Sequence, residues 1–267
     1  MGIITLLTDF GLTDEYVGVM KGVILGINPK AKIVDLTHHI PAQSIRAASF
    51  LLKTSYAYFA PGTIHVAVVD PGVGSDRQIL AVKADGHYFL APDNGLLRPI
   101  LDEAAEVKAV VVSNPKICLA QISRTFHGRD IFAPAAAHLS LGTPLEDMGS
   151  SISLEAMQQE EAAREEQMPE QLLGQIVWVD HFGNLVTTIS KDGLDMFAQG
   201  RPWEDMVVQV QGGDGLKILD TYSEVGRGEL LALIGSRGFL EISVNMGNAQ
   251  EALYAGPGAR VTVSFSK

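Results

Sequence analysis

The deciding stretch of this sequence is Thr63-Ile-His-Val-Ala-Val-Val-Asp70-Pro-Gly-Val-Gly-Ser-Asp-Arg77. Its first half is rich in β-branched residues and follows a Pro-Gly pair, which predicts a buried strand. Its second half cannot continue that strand, because Pro71 has no N–H to donate to a neighbouring strand and the two glycines favour a tight bend. Asp70 and Arg77 are therefore expected in a loop beyond the carboxyl end of a strand, where open α/β sheets bind ligands.

The residues on both sides of this strand predict an α/β domain. Segments 3–7 and 33–36 have the apolar composition of strands, and segments 14–27 and 45–59 have helical spacing. The order strand, helix, strand, helix, strand predicts a mostly parallel sheet covered by helices. Further expected elements are a hairpin around Asp85-Gly86, a strand at Val107–Val112 and an alanine-rich helix at 131–141.

The chain is predicted to form two domains joined by an acidic linker. Between about residues 150 and 169 the sequence is rich in Glu and Gln and poor in large apolar residues, which is typical of a solvated linker. The segments after it are short and strand-like and include no full-length amphipathic helix, which predicts a smaller all-β, barrel-like domain. The predicted boundaries are 1–150 for the α/β domain, 151–171 for the linker and 172–267 for the β domain.

The composition limits the possible function classes. With 31 acidic against 20 basic residues the formal charge is −11, and no basic patch is visible, so nucleic acid is not an expected partner. No apolar run reaches the roughly 20 residues that span a bilayer, so membrane association is not expected either. The N-terminus lacks the basic region of a signal peptide, and the single cysteine, Cys118, suits a reducing compartment. We therefore expect a cytoplasmic protein.

Polar residues recur at predicted turns in both domains. Asp9 follows the first strand, and His127 lies where a loop enters a helix. In the second domain, Asn184 lies in one turn and the segment 236–241 forms another between two strands. Each turn alone is most simply a solvated turn, but their recurrence favours a ligand site. The adjacent pair His38-His39 does not have the spacing of metal ligands, and no metal is expected.

The motifs that stand out, in chain order, are Thr8-Asp9-Phe10-Gly11, Val69-Asp70-Pro71-Gly72-Val73-Gly74 followed by Arg77, Phe126-His127-Gly128-Arg129-Asp130, Phe182-Gly183-Asn184 and Ser236-Arg237-Gly238-Phe239-Leu240-Glu241-Ile242. Together they resemble the S-adenosylmethionine hydroxide adenosyltransferase family, the adenosine-forming hydrolases related to the fluorinating and chlorinating enzymes. The resemblance covers both predicted domains and essentially the whole chain.

This resemblance implies hydrolysis of S-adenosyl-L-methionine (SAM) to adenosine and L-methionine, by attack of water or hydroxide on the 5′ carbon of the ribose. The catalytic set of the family corresponds to Asp70, Arg77 and His127. A sulfonium leaves without being protonated, so the enzyme needs only to hold and activate an in-line water, without a cofactor. Which group finally takes the proton does not follow from the sequence.

Two other functions are open to a chain with these motifs. One is a halide-using adenosyltransferase, which the carboxylate of Asp70 disfavours because it would repel a halide. The other is a non-catalytic protein that binds adenosine or SAM. Variants of the catalytic set would separate this second alternative from an enzyme, since they should abolish turnover and spare binding.

The resemblance also implies how the substrate binds. Asp9 would bind the ribose hydroxyls, a task suited to a carboxylate, and Asp70 would contact the substrate as well. Arg237 is the expected partner of the methionine carboxylate. The residues implied for the adenine and the ends of the ligand are Asn184, Ser236, Glu241 and the backbone around Val244. In the family the site lies between the first domain of one subunit and the second domain of its neighbour in a trimer, so a homotrimer is implied here.

Overall fold

The structure, a computed structural model, describes residues 2–159 and 165–266. The chain divides into two units, residues 1–162 and 163–267. The predicted linker, residues 151–171, lies across this division, and its residues 160–164 are outside the described part of the chain. The described part of that segment includes a two-residue strand at Glu166–Gln167.

In its described residues, the first unit contains a seven-stranded sheet and four α-helices. Its strands are β1 (Ile3–Thr8), β2 (Lys32–Thr37), β3 (Ile64–Val68), β4 (Ile79–Ala84), β5 (His87–Pro92), β6 (Val107–Val112) and β7 (Gly149–Ser151). Its helices are α1 (Tyr16–Ile27), α2 (Ile45–Lys53), α3 (Arg98–Leu101) and α4 (Ala133–Ser140).

The strand order in this sheet is β2-β1-β3-β5-β4-β6-β7. Strands β2, β1, β3 and β5 are parallel to one another, whereas β4 is antiparallel to both of its neighbours, so β6 again runs with the parallel group. The sheet is thus mostly parallel, as predicted. The predicted hairpin is confirmed too, since Asp85 and Gly86 connect β4 to β5 with positive φ angles of 46° and 82°.

One core cluster of this unit lies between the sheet and the pair α1 and α4. Every residue of β3 is buried, and Val66 packs in the same core cluster as Met20 and Ile24 of α1. Helix α4 contributes alanines to this cluster, and such small side chains allow close approach of helices to a sheet. Strand β3 and its neighbour β1 are therefore rigidly placed, together with the loops that follow them.

Two predicted helices differ from the observed ones. The helix expected at 45–59 ends at Lys53, where the hydroxyls of Thr54 and Ser55 donate back to carbonyls of the last turn, and a short 3₁₀ turn follows at Tyr56–Tyr58. The helix expected at 131–141 begins at Ala133, because the residues before it form a π-helix at Gly128–Phe132. The helix propensities of the residues at these two boundaries do not show where the α-helix ends or begins.

The second unit is a closed barrel with two short helices. Its strands are β8 (Glu166–Gln167), β9 (Gln171–Val179), β10 (Leu185–Ser190), β11 (Met206–Val210), β12 (Leu216–Leu219), β13 (Leu230–Ile234), β14 (Phe239–Val244) and β15 (Arg260–Phe265), and its helices are α5 (Lys191–Ala198) and α6 (Ala249–Leu253).

The barrel closes because β10 pairs with both β14 and β9. Seven strands follow one another around it in the order β10-β14-β13-β12-β11-β15-β9, and β8 pairs with the outer edge of β9. The predicted barrel-like domain is thus confirmed. Helices α5 and α6 and strand β12 were not predicted. Within the described residues, no helix is long and apolar enough to cross a membrane.

Candidate active site

The sheet of the first unit changes its winding direction between β1 and β3. The chain leaves β1 for β2 on one side, while β3 pairs with β1 on the other side. Thr8 at the end of β1 is in register with Val68 at the end of β3, so the loops that carry Asp9 and Asp70 begin side by side. Crevices at such switch points are the ligand sites of open α/β sheets.

Asp70, Arg77 and His127 form one hydrogen-bonded cluster beside this crevice. Nε of Arg77 lies 2.9 Å from each carboxylate oxygen of Asp70, and Nη2 also donates to this carboxylate. The same Nη2 lies 2.6 Å from Nδ1 of His127. The side chains of Asp70 and Arg77 are 7% and 10% exposed, so their charges are largely shielded from bulk water. The structure thus brings together the three residues predicted to be catalytic.

This cluster determines the protonation state of His127. A guanidinium can only donate, so Nδ1 of His127 carries the lone pair and Nε2 carries the proton. Burial, followed by the positive charge of Arg77, lowers the pKa of His127, and Asp70 offsets only part of this effect. His127 is therefore a neutral imidazole at pH 7 whose Nε2–H can donate to an oxygen.

Glycines shape the loop that returns from Asp70 to Arg77. Gly74 has a φ of +81°, and a Cβ atom added there would lie 2.5 Å from the carbonyl oxygen of Arg124. A Cβ atom at Gly72 would lie 3.3 Å from Cγ of Arg77. A side chain at position 74 would therefore clash with backbone and strain its own backbone. The tight bend predicted for this loop is confirmed.

Asp130 organises the segment that presents His127. It is fully buried, and its carboxylate accepts hydrogen bonds from N–H of Ser123 at 2.7 Å and from Nε of Arg129 at 2.6 Å. Burial raises the pKa of Asp130, but the hydrogen bonds from Arg129 and Ser123 outweigh it, so the pKa lies below its ordinary value. Asp130 was not predicted as a site residue, although an acid beside an arginine at a helix entry was a usable signal.

Asp9 is held by a backbone group of a neighbouring loop. Its Oδ2 atom accepts a hydrogen bond from N–H of Gln43 at 2.8 Å. Gln43 has a φ of +66°, which is uncommon for a residue with a side chain. Gln43 was not predicted as a site residue, because the local sequence around a glutamine does not reveal a left-handed backbone conformation.

In the barrel, Asn184 belongs to the turn between β9 and β10. Its backbone N–H and its Nδ2 each lie 3.0 Å from a carboxylate oxygen of Asp180, and N–H of Phe182 lies 2.8 Å from the same side chain. Asn184 is buried, whereas Phe182 is 73% exposed at the tip of the turn. Asp180 therefore fixes a turn that presents an aromatic ring to the outside of this unit.

Glu241 lies inside the barrel wall and is 6% exposed. Its Oε1 accepts hydrogen bonds from the hydroxyl of Tyr222 at 2.7 Å and from Oγ of Ser243 at 3.0 Å. Burial, followed by the hydrogen bond to Glu241, raises the pKa of Tyr222 to about 12. Tyr222 and Ser243 were not predicted, because the long loop before β13 brings Tyr222 to Glu241 only in the folded barrel.

The remaining predicted residues lie at the two opposite ends of the hairpin formed by β13 and β14. Ser236 and Arg237 are exposed in the turn between β13 and β14, and Val244 is the last residue of β14. Asp9, Asp70, Arg77 and His127 thus belong to the first unit, and the predicted barrel residues belong to the second. Among the residues that the structure describes, no three His, Cys, Asp or Glu side chains are grouped for a metal ion.

Both units match one protein family. Residues 4–149 match the SAM hydroxide adenosyltransferase N-terminal domain, and residues 174–262 match the SAM hydroxide adenosyltransferase C-terminal domain. These matches cover most of the chain in the order expected from its motifs. The chain belongs to the SAM hydroxide adenosyltransferase family.

Similar proteins carry related names. The (R)-S-adenosyl-L-methionine hydrolase of Thermus thermophilus is 39% identical over 92% of this chain and 93% of its own length. The hydrolase of the same name from Salinispora tropica is 34% identical over 98% of this chain and 97% of its own length. A fluorinase of Actinoplanes sp. is more distant, at 28% identity over 91% of each chain. A crystal structure of a conserved protein from Thermotoga maritima has a TM-score of 0.91 at 37% identity, with 98% of this chain and 99% of that chain covered.

Proposed function

We propose that this chain hydrolyses SAM to adenosine and L-methionine. The proposal rests on the hydrogen-bonded cluster of Asp70, Arg77 and His127 at the switch point of the sheet. It is supported by the 39% identity of this chain to an (R)-S-adenosyl-L-methionine hydrolase. The family and the relatives at 31% identity or more all point to the same reaction. The chain is an enzyme.

The reaction is a substitution at the 5′ carbon of the ribose. The oxygen of water forms a bond to this carbon as the bond from carbon to sulfur breaks, and its electron pair remains on sulfur as the thioether of methionine. One proton of the water passes to the carboxylate of Asp70 and from there to solvent. Because the sulfonium charge disappears in this step, the leaving group needs no acid, and the enzyme acts mainly on the nucleophile.

The cluster supplies what such a nucleophile needs. The carboxylate of Asp70 can accept a hydrogen bond from the water and orient its lone pair. The guanidinium of Arg77 favours the hydroxide form as the proton departs, and His127 holds this guanidinium in place through Nδ1. His127 is not available as a base at Nδ1, since that lone pair accepts from Arg77.

The binding roles are part of the same proposal. Asp9 binds the ribose hydroxyls, and Arg237 pairs with the carboxylate of the methionine part. The adenine and the ends of the substrate are bound by Asn184, Ser236, Glu241 and the backbone at Val244. The exposed ring of Phe182 supports a ligand-facing role for the turn that carries Asn184.

We also propose a homotrimer in which the barrel of a neighbouring subunit completes the site, as the family resemblance implies.

The protein is proposed to be cytoplasmic, since its single cysteine fits a reducing compartment. The reaction is proposed to need no cofactor and no metal, because the sulfonium is itself an activated leaving group. No nucleic acid or membrane partner is proposed for a chain of charge −11.

The test compares turnover with binding in Asp70→Asn. We expect this variant to lose about 10²- to 10⁴-fold in kcat, because an amide cannot accept a water proton or balance Arg77. Its Kd for adenosine, measured by calorimetry, should stay within a few-fold of the original. Asp76→Asn in the same loop is the matched control, since Asp76 is exposed and outside the cluster.

Equal turnover by Asp70→Asn and the unchanged protein would contradict the assignment of the cluster. Adenosine binding without any SAM turnover by the unchanged protein would instead leave a binding protein. Formation of 5′-chloroadenosine in place of adenosine would favour the halide-using alternative.

A further inference from the structure

A second chain of polar groups lies beside the end of β1, outside the cluster of Asp70; Thr8 and His38 are buried in it, and Asp35 and Lys21 reach the surface. Nδ1 of His38 lies 2.8 Å from Oγ1 of Thr8. On its other side, Nε2 of His38 lies 3.1 Å from Oδ1 of Asp35, and Oδ2 of Asp35 accepts from Nζ of Lys21 at 2.6 Å. The chain of contacts ends at Thr8, which directly precedes Asp9, the residue proposed to bind the ribose.

The arrangement resembles a nucleophile triad in composition, but its hydroxyl cannot be reached. Thr8 has no exposed surface, and the side chain of His38 is 2% exposed. The hydroxyl of Thr8 also accepts a hydrogen bond from N–H of Phe10 at 3.2 Å. No substrate could approach this hydroxyl without unfolding of β1, so its function is structural support.

The proton positions in this chain follow from its charges. If Nδ1 of His38 carried the proton, the lone pair of Nε2 would face the carboxylate of Asp35, which is unfavourable. The Thr8 hydroxyl therefore donates to Nδ1, and the Nε2–H of His38 points toward Asp35, although its angle is poor for a hydrogen bond. Lys21 balances the charge of Asp35. The imidazole is thus ordered from both sides.

His38 holds the loop around Asp9 at two further points. Its own carbonyl accepts a hydrogen bond from N–H of Gly11 at 2.7 Å. Through Thr8 it also orders N–H of Phe10. The same connection, residues 38–44 between β2 and α2, contributes N–H of Gln43 to Oδ2 of Asp9. Residues on both sides of Asp9 and its carboxylate are therefore fixed by the segment that begins with His38.

We infer that His38 is a positioning residue that orients the carboxylate of Asp9 for the two ribose hydroxyls of the substrate. This inference rests on the proposed function of Asp9. The consequence is specific: loss of His38 should weaken recognition of ribose more than it weakens recognition of the rest of the nucleoside, because Asp70, Arg77 and His127 are held by separate loops.

The experiment measures the ratio of the Kd values for 2′-deoxyadenosine and adenosine by calorimetry. Asp9→Asn should lower this preference for ribose by about tenfold, since a charged hydrogen bond contributes roughly 1.5 kcal/mol. His38→Ala should lower it several-fold in the same direction. His38→Asn should restore most of it, because an asparagine oxygen can take the place of Nδ1 as acceptor from Thr8.

Two further variants make the result decisive. His39→Ala is the control, because His39 is adjacent to His38 and exposed, and it should leave the ratio unchanged. Thr8→Val removes the hydroxyl with little change in shape and should have the same effect as His38→Ala. It therefore serves as the test if His38→Ala folds poorly. Thermal unfolding of each variant gives its folded fraction, which cancels from a ratio of two Kd values.

The possible failures can be distinguished. If Asp9→Asn lowers the preference for ribose while Thr8→Val and His38→Ala keep it, the positioning role of His38 is wrong and the role of Asp9 stands. If Asp9→Asn itself keeps the preference, the proposed role of Asp9 and the inference about His38 are both overturned. The hydrolysis reaction would be untouched by either result.

Discussion

The state of one residue, His127, links the geometry of the site to its chemistry. Its Nδ1 is occupied by Arg77, and burial with the adjacent guanidinium lowers its pKa below the ordinary value of 6.5. Protonation of Nδ1 would set two cations against each other and break this contact. The active form of the cluster therefore contains neutral imidazole.

The first prediction concerns the acid limb of activity. Since the pKa of His127 is lowered, its neutral form persists as the pH falls through 6.5 and is lost only at lower pH. We therefore expect the midpoint of the acid limb of kcat for SAM hydrolysis to lie below pH 6.5. The prediction would be contradicted by an acid limb whose midpoint lies at or above pH 6.5 in the unchanged protein and which is absent from the pH profile of His127→Asn.

A second histidine affects stability in place of activity. His65 is fully buried, with Nδ1 at 2.8 Å from Oγ1 of Thr5 and Nε2 at 3.3 Å from Nδ1 of His87. Burial, and then the neighbouring His87, lowers the pKa of His65 to about 3. Below pH 6.5 the unfolded chain takes up a proton that the folded protein does not, so the free energy of unfolding falls as the pH falls.

The second prediction is the size of that loss. Between pH 7.5 and 5.5, His65 should account for about 1.4 kcal/mol of the decrease in the free energy of unfolding. His65→Gln should show a flatter pH dependence in urea titrations over this range, whatever its stability at pH 7.5. His39→Gln, an exposed control, should keep the original slope. Parallel curves for all three proteins would show that His65 is protonated as readily folded as unfolded.

At the scale of elements, the strands and their order were largely predictable. The runs around β1, β3 and β6 are dense in β-branched residues, and the Asp85-Gly86 turn marks a hairpin by its chemistry. The two elements most clearly missed in the barrel are α5 and β12. Helix α5 is only eight residues long and contains Gly193, and β12 has four residues after a glycine-rich turn, so neither has a distinct period.

The site was predictable where a single side chain carries the chemistry, and less so where the fold does. Asp70, Arg77 and His127 were placed at loops after strands or before a helix by local signals, and the family resemblance implied that they act together; the structure confirms that they lie together. Gln43 contributes through its backbone, and Tyr222 meets Glu241 only through the closure of the barrel. Such contacts depend on long-range pairing, which a local pattern does not contain.

The third prediction belongs to the loop between Asp70 and Arg77. Gly74→Ala adds a Cβ atom 2.5 Å from a backbone oxygen at a φ of +81°, so the loop must shift and Arg77 must move with it. We expect kcat to fall by about 10²-fold, the order expected for a displacement of roughly 1 Å at a catalytic group. The measurement is steady-state hydrolysis of SAM.

Gly142→Ala is the matched control for this variant. Gly142 also has a positive φ, of +91°, but an added Cβ atom there would meet nothing within 4 Å. Both variants should lose about 1 kcal/mol of stability from the positive φ, and Gly74→Ala should lose more because of its clash. Only Gly74→Ala should lose activity. Equal kcat values in the two variants would show that the geometry of the Asp70 loop does not limit the reaction.

At the scale of the whole molecule, the proposed homotrimer makes the fourth prediction. Sedimentation equilibrium should give three times the chain mass of 28.6 kDa at concentrations where the enzyme is active. If neighbouring subunits share each site, the inactive variants Asp70→Asn and Arg237→Ala should regain activity when their subunits are dissociated, mixed and reassembled. Random assembly should give about a quarter of the original activity, because only a site with Asp70 from one variant and Arg237 from the other is intact. A fully active monomer, or mixed subunits without activity, would contradict the shared site.

The central claim is that water attacks the 5′ carbon of SAM at the Asp70 cluster. The most direct measurement is incubation of the purified protein with SAM in oxygen-18 water, followed by mass spectrometry of the nucleoside product, with and without added chloride. We expect adenosine with the heavy oxygen on its 5′ carbon, L-methionine in equal amount and no 5′-chloroadenosine. Adenosine without the label, or no nucleoside product from a protein that binds adenosine tightly, would contradict it.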